Sequence, residues 1–186
     1  MTSAKTIRLL GLSGSLRKNS YNTALLRAAS AIAPERIELD IFDLSKIPLY
    51  NEDLREKGYP APVKRLRDEI ASADGVLIAT PEYNYSIPSV LKNAIDWASR
   101  PPDQPFDRKP VAILGASPGR IGTARAQYHL RQCFVFLNAT VLNKPEVMVG
   151  GAQHLFDASL RLTDPTTRRF ISDLLDALVA AIEHPR

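Results

Sequence analysis

The sequence predicts a three-layer α/β sandwich, in which helices cover both faces of a parallel sheet. Short apolar runs alternate with segments of helical periodicity along the whole chain, as in repeated βαβ units. Two of these runs, residues 76–79 and 111–114, are almost continuously apolar, which is typical of central strands buried on both faces. Because 186 residues can bury a core without disulfides or metals, we expect residues 1–186 to form a single domain.

Five strands are predicted, at residues 6–12, 36–42, 75–80, 110–116 and 140–149. Each is followed by a helix whose apolar residues recur every three or four positions. In chain order, the helices are marked by Leu25, Leu26, Ala29, Ile32 and Ala33; by Val63, Leu66 and Ile70; by Val90, Leu91, Ala94, Trp97 and Ala98; by residues from about 121 to 137; and by Phe170, Ile171, Leu174, Leu175, Leu178 and Ile182.

For five strands in this alternation we expect the flavodoxin-like strand order 2-1-3-4-5. In such a sheet, ligands bind at the carboxyl ends of the strands, beside the switch point between the first and third strands. The loops after strands one, three and four should therefore carry the residues that bind a ligand.

The loop after the first strand has the composition of an anion site. Residues 11–22 read GLSGSLRKNSYN and lead directly into a helix, whose first N–H groups have no intrahelical acceptor. Hydroxyl and amide donors and one guanidinium are available there, from Ser13, Ser15, Arg17, Ser20 and Asn22. The loop lacks the Gly-Lys-Ser/Thr of a nucleoside triphosphate site and the third glycine of the dinucleotide-binding fingerprint, so it matches neither motif. It suits a monophosphate such as that of FMN, although an ordinary serine-capped turn has the same composition.

Two further loops are predicted at the same edge of the sheet. Residues 81–88, PEYNYSIP, are bracketed by prolines, which restrict the backbone and so preorganise its donors and acceptors. Residues 117–122, SPGRIG, allow close backbone approach to a ligand and contribute Arg120. Either loop alone is consistent with a simple turn. Together with residues 11–22 they indicate a site for a flat heteroaromatic ring that carries a phosphate.

Charge and hydropathy exclude several classes of partner. The net charge is +4, and basic residues are interleaved with acidic ones, so we expect a mildly basic pocket and no nucleic-acid surface. No apolar run approaches the roughly 20 residues of a membrane span, so no membrane association is expected. With no signal-peptide pattern in residues 1–5 and one cysteine in the chain, we expect a cytoplasmic protein.

The residues that usually perform acid–base, nucleophilic or metal chemistry are scattered. Cys133 lies in an apolar helical stretch and is expected to be a small buried core residue. His129, His154 and His184 have no metal-ligand spacing and are expected to be structural or exposed. We therefore expect no metal site and no catalytic side chain.

At three blocks, residues 11–22, 81–101 and 115–127, the chain resembles the NAD(P)H-dependent FMN reductases and the related bacterial quinone, azo-dye and chromate reductases. The resemblance implies that Ser13, Ser15, Arg17, Ser20 and Asn22 hold the FMN phosphate. It also implies that the isoalloxazine ring lies against Pro81, Glu82, Tyr83, Asn84 and Tyr85, largely through backbone contacts, with Ser117 and Gly119 at its other edge. Ser89 stands where the family often has glycine, at a helix start that accepts serine readily.

The implied reaction is hydride transfer from NADPH or NADH to flavin N5, followed by reduction of a small-molecule acceptor. The acceptor would be a quinone, free flavin, an azo compound or a metal oxyanion. Because the flavin carries the chemistry, no side-chain acid or base is required, and a backbone donor at 117–119 would stabilise the reduced ring. Members of the family are dimers or tetramers, so we expect a homodimer or homotetramer with an Arg–Glu pair across an interface formed by Tyr85, Arg125, Tyr128 and Glu146.

Two alternatives from other classes stay open at this point. A flavodoxin-type electron carrier would bind FMN without hydride transfer, but such carriers are typically acidic, unlike this chain. The chain could also be a phosphatase-like or nucleotide-binding protein that uses residues 11–22. It lacks the nucleophilic cysteine or the Walker lysine that such chemistry needs. Arg17, Lys18 and Arg120 favour NADPH over NADH without deciding between them.

Overall fold

The computed structural model describes residues 5–185 and confirms the predicted three-layer sandwich. The strands are β1 (Ile7–Ser13), β2 (Ile37–Phe42), β3 (Gly75–Ala79), β4 (Pro110–Ala116), β5 (Thr140–Val141) and β6 (Val147–Val149). The helices are α1 (Tyr21–Ile32), α2 (Glu52–Glu56), α3 (Ala61–Ser72), α4 (Ser89–Ala98), α5 (Ala124–Phe136) and α6 (Pro165–Glu183). The expectation about a signal peptide falls mostly on residues 1–4, outside the described residues.

The sheet has the predicted strand order, β2-β1-β3-β4-β5, with β6 also paired to β4 and every pairing parallel. Alternating side chains of the central strands enter opposite cores. Leu77 of β3 packs with α1 and α6 on one face, whereas Val76 and Ile78 pack with α3, α4 and α5 on the other. Both faces of the sheet are therefore covered, and the carboxyl ends of β1, β3 and β4 meet at one edge.

The prediction of one fifth strand over residues 140–149 is wrong. Two short strands replace it, because β5 pairs with the beginning of β4 and β6 pairs with its end, from Leu114 to Ala116. Between them the chain leaves the ladder around Pro145, which has no N–H to donate. The second half of the predicted strand therefore reaches the carboxyl edge, where it supports the loop after β4.

Smaller differences concern the helices and the cysteine. Helix α2 was not expected, because five residues are too few to show a periodic pattern; Asn51 caps it by accepting a hydrogen bond from the Asp53 N–H. Helix α5 begins at Ala124, three residues later than expected. Cys133 is half-buried, not a core residue, although burial still raises the pKa of its thiol. Within residues 5–185, no helix has both the length and the apolarity needed to cross a membrane.

Candidate functional site

The three loops singled out in the sequence meet at the carboxyl edge of the sheet. They form a narrow, open cleft of about 80 Å³, lined by Ser15, Arg17, Ser20, Tyr21, Asn22, Pro81, Glu82, Tyr83, Ala116, Ser117 and Pro118. A larger depression of about 650 Å³ lies between β5 and the end of α6 and includes no residue of the three loops. The chemistry of the donors, not the size of the depression, therefore identifies the candidate site.

The start of α1 presents a set of donors to the cleft. Ser20 caps the helix, because its Oγ accepts a hydrogen bond from the Thr23 N–H at 3.2 Å. The Ser15 Oγ accepts from the Arg17 N–H at 3.3 Å. Each hydroxyl keeps its own proton for a ligand, and the first-turn N–H groups of Tyr21 and Asn22 have no intrahelical acceptor.

Arg17 supplies the positive charge of this donor set. Its side chain is exposed, lines the cleft, and has no ion pair or side-chain hydrogen bond to any residue in 5–185. Two hydroxyls, two helix N–H groups and an unpaired guanidinium are the groups that hold a phosphate ester. The residues present therefore fit the phosphate of FMN.

Two of the expected phosphate ligands support the loop instead of facing the cleft with free side-chain donors. The buried Asn22 amide donates to the Ala116 carbonyl oxygen at 3.0 Å and accepts from the Ala116 N–H at 2.9 Å. The Ser13 hydroxyl lies 2.8 Å from Thr23 Oγ1, and Ser13 is not among the residues that line the cleft. The Asn22 side chain thus joins the start of α1 to the end of β4. The backbone N–H of Asn22 remains available to an anion.

The loop after β3 contains a two-residue turn with a strained tyrosine. The Tyr83 N–H donates to the Ser86 carbonyl at 3.1 Å, and the Ser86 N–H donates back to the Tyr83 carbonyl at 2.9 Å. Between them Asn84 and Tyr85 have φ angles of 50° and 65°, as in a type I′ turn. Asparagine tolerates this region, but for a bulky residue such as tyrosine it is rare. The turn leaves both tyrosine rings exposed, and it places Asn84 and Tyr85 outside the lining of the cleft.

Glu82 attaches the same loop to α5. Its carboxylate, 9% exposed, accepts from the N–H groups of Arg125 and Ala126 at 2.9 and 3.1 Å and pairs with the Arg125 guanidinium at 2.8 Å. Thr123, at the N-cap position, makes no side-chain capping bond, so Glu82 caps the helix from a distant loop. The Arg125 guanidinium also lies 3.6 Å from the centre of the Tyr85 ring. No sequence pattern indicates this pairing, and the Arg–Glu contact made by Arg125 lies within the chain.

The loop after β4 has fewer free donors than expected at 117–119. The Ser117 N–H donates to the Val149 carbonyl at 2.9 Å, the Gly119 N–H donates to Ser117 Oγ at 3.1 Å, and Pro118 has no N–H. The next N–H, that of Arg120, has no acceptor among residues 5–185 and replaces them as the candidate. Gly122, with φ of 62°, packs so closely on β6 that an added Cβ would lie 2.7 Å from the Met148 carbonyl carbon.

The three histidines lie on different elements: His129 on α5, His154 after β6, and His184 at the end of α6, beside the larger depression. His129 Nδ1 is 3.1 Å from Ser86 Oγ, and His154 contacts Gln153. A hydrogen bond with Glu146 raises the pKa of the exposed Tyr128. Within residues 5–185 no group of three or more His, Cys, Asp or Glu side chains is arranged to hold a metal ion.

Comparisons with known proteins find relatives over most of the chain. Residues 7–154 match the family model described as NADPH-dependent FMN reductase. The chain is 59% identical to an NAD(P)H-dependent FMN reductase of Pseudomonas aeruginosa over 92% of this chain and 93% of that protein. It is 51% identical to a quinone reductase of Escherichia coli over 83% of each chain. Its fold is similar to that of the flavoenzyme NAD(P)H:acceptor oxidoreductase FerB of Paracoccus denitrificans, with a TM-score of 0.87, 37% identity, and coverage of 96% and 98% of the two chains.

Proposed function

This chain belongs to the NADPH-dependent FMN reductase family, and we propose that it oxidises NADPH or NADH and reduces a quinone. FMN, when bound, supplies the hydride chemistry that connects the two substrates. Quinones are favoured among the candidate acceptors because relatives with 51% and 45% identity, from Escherichia coli and Arabidopsis thaliana, are named as quinone reductases. Free flavin, azo compounds and metal oxyanions are the other small-molecule acceptors in this proposal.

The observation that carries the proposal is the donor set at the start of α1. The cleft is lined by Ser15, Arg17 and Ser20 together with the first-turn N–H groups of α1. The Arg17 guanidinium makes no ion pair or side-chain hydrogen bond with any residue in 5–185. In the proposal these groups bind the phosphate, while Asn22 and Ser13 position them. A phosphate-binding site of this kind anchors a cofactor and takes no part in the chemical steps.

The ring of the cofactor is assigned to the other two loops. Pro81, Glu82, Tyr83 and Ser117 line the cleft, and Glu82 is also a positioning residue through its contacts with α5. Asn84, Tyr85 and Gly119 shape the backbone at the rim. Arg120 does not line the cleft, but its N–H, next to Gly119 at the rim, is the proposed donor to the ring edge on which negative charge would develop.

Reduction of the protein by nicotinamide tests the function against the electron-carrier alternative. FMN-loaded protein is mixed anaerobically with NADPH or NADH, and the absorbance of oxidised flavin is followed in a stopped-flow instrument. We expect rapid bleaching, and recovery of the absorbance when benzoquinone is added. Failure to bleach with either nicotinamide, while dithionite reduces the same sample, would favour a carrier. If the protein does not retain FMN at all, the result favours the phosphatase-like or nucleotide-binding alternative.

We also propose a homodimer or homotetramer. Tyr85 and Tyr128 are 65% and 50% exposed and give the rim of the site an amphipathic surface. Because Arg125 pairs with Glu82 inside the chain, the contacts across the interface would come mainly from the tyrosine rings. Sedimentation of the wild type and of the Tyr128→Ala, Glu146→Ala double variant tests this; an unchanged assembly would remove these residues from the interface.

A further inference from the structure

A second cleft lies on the other side of the loop between β1 and α1, residues 14–20, which we call the phosphate loop. It measures about 410 Å³ and is bounded by residues 13–18, one side of α1 and the residues at the end of β2. Ser15 and Arg17 line both this cleft and the candidate FMN cleft, so the two spaces are separated only by the loop that carries these residues. Nothing in the proposed flavin site uses this second space.

The second cleft is basic. Arg17, Lys18 and Arg27 line it, and none of the three makes an ion pair or side-chain hydrogen bond with any residue in 5–185. One lining residue is acidic, Asp43, and its two carboxylate oxygens accept from Ser45 N–H and Oγ at 2.9 and 2.8 Å. These bonds lower the pKa of Asp43 and favour its ionised form, so one negative charge faces three positive ones. The unpaired cations therefore leave the cleft with a positive balance suited to an anion.

Two of the side chains that line this otherwise polar cleft are large, aliphatic and exposed. Leu16, 57% exposed, lies on the phosphate-loop side, and Ile41, 37% exposed, lies on the β2 side. Large exposed aliphatic side chains beside unpaired cations suit a ligand that has a flat aromatic ring and a phosphate. A simple anion site would not need these two side chains.

We propose that this cleft binds the adenosine 2′-phosphate part of NADPH, with Lys18 and Arg27 selecting NADPH over NADH. The inference rests on the proposed function, since it assigns a position to one end of its co-substrate. Because Arg17 lines both clefts and is also assigned to the FMN phosphate, a substitution at Arg17 would affect both sites at once. Arg120, which the sequence also suggested for this role, lines neither cleft.

Steady-state kinetics of the Lys18→Gln, Arg27→Gln double variant test the assignment. With saturating benzoquinone, we expect the KM for NADPH to rise about tenfold or more, because charged hydrogen bonds to the 2′-phosphate are lost. The KM for NADH, the kcat and the affinity for FMN should stay unchanged. Arg168→Gln is the matched control, since this exposed arginine on α6 lines neither cleft and has no side-chain partner within residues 5–185.

A binding measurement gives a readout that does not depend on turnover. FMN-loaded wild type and double variant are titrated calorimetrically with adenosine 2′-monophosphate, adenosine 5′-monophosphate and inorganic phosphate. We expect the wild type to bind the 2′-monophosphate most tightly and the double variant to lose that preference. Equal binding of 2′-monophosphate and inorganic phosphate would overturn the nucleoside assignment.

Equal rises in the KM values for NADPH and NADH, or unchanged 2′-monophosphate binding in the double variant, would overturn the selectivity role. Failure of the proposed function looks different. In that case the FMN-loaded wild type would oxidise neither nicotinamide, whatever the titrations showed.

Discussion

Glu82 and Arg125 are joined twice, because the Glu82 carboxylate accepts from the Arg125 backbone N–H at 2.9 Å and pairs with its guanidinium at 2.8 Å. The first bond caps α5, and the second holds the guanidinium in place beside the Tyr85 ring. One carboxylate therefore holds both the loop after β3 and the start of the helix that follows β4.

Replacing Glu82 with glutamine should lower the free energy of unfolding by about 1–3 kcal/mol, the range for losing charged hydrogen bonds in a buried position. Urea denaturation without FMN measures this. Glu183→Gln is the control, because Glu183 pairs with Arg36 on the exposed surface, where solvent screens the interaction. The control should lose clearly less stability; equal losses would contradict the capping role.

Arg17→Ala should weaken FMN binding by about 1.5–3 kcal/mol, because the phosphate loses a charged donor while the rest of the loop is unchanged. Fluorescence titration of the apoprotein with FMN measures the affinity. Lys18→Ala is the matched control, since it removes the same charge one residue further on and lines the other cleft. An unchanged affinity in Arg17→Ala would remove the guanidinium from the phosphate site.

Asn22→Ala should lower the free energy of unfolding by about 2–4 kcal/mol, because the buried N–H and carbonyl of Ala116 both lose their partner. FMN affinity should fall as well, since α1 is no longer fixed to β4. Asn51→Ala provides a comparison, as that side chain makes a single exposed capping bond on α2. If both variants unfold at the same urea concentration, the Asn22 contact does not join the two elements as described.

Tyr85→Gly should change stability by less than about 1 kcal/mol, although it removes a large side chain. The loss of an exposed cation–π contact is worth about 0.5–1 kcal/mol, and Asn-Gly is the preferred sequence for a type I′ turn, so the two effects nearly cancel. Turnover with quinone should nevertheless fall, because the tyrosine is kept at a positive φ despite its cost. Thermal unfolding and steady-state rates measure the two effects separately; unchanged turnover would leave the strain without a function.

The Cys133 thiol should react slowly with iodoacetamide near neutral pH. Burial raises its pKa, so the folded protein holds less of the reactive thiolate than an unfolded chain does, and the rate should rise only at more alkaline pH. Mass spectrometry of native and urea-unfolded samples follows the modification. Alkylation at the same rate in both states would show that the thiol is not shielded.

The strand order and the convergence of three loops could be predicted from the sequence, because both follow from local patterns and the topology of parallel sheets. The roles of individual side chains in the site could not. Asn22 and Ala116 are 94 residues apart, and Glu82 and Arg125 are 43 apart, so no local pattern connects either pair. The interruption around Pro145 was missed because apolar residues on both sides of it suggested one continuous strand.

For FMN bound as proposed, the capping of α5 by Glu82 also bears on the orientation of the cofactor. The amides of Arg125 and Ala126 are occupied by a carboxylate, so the beginning of α5 offers no place for a second anion. Of the two helices, α1 keeps free N–H groups in its first turn and α5 does not. The phosphate therefore has donors at the α1 end of the cleft. In the proposed site, the phosphate of a flavin mononucleotide bound in reverse would find at Glu82 a carboxylate that already holds the donors of α5. The donors at α1 therefore favour one direction of binding without any contact to the ring.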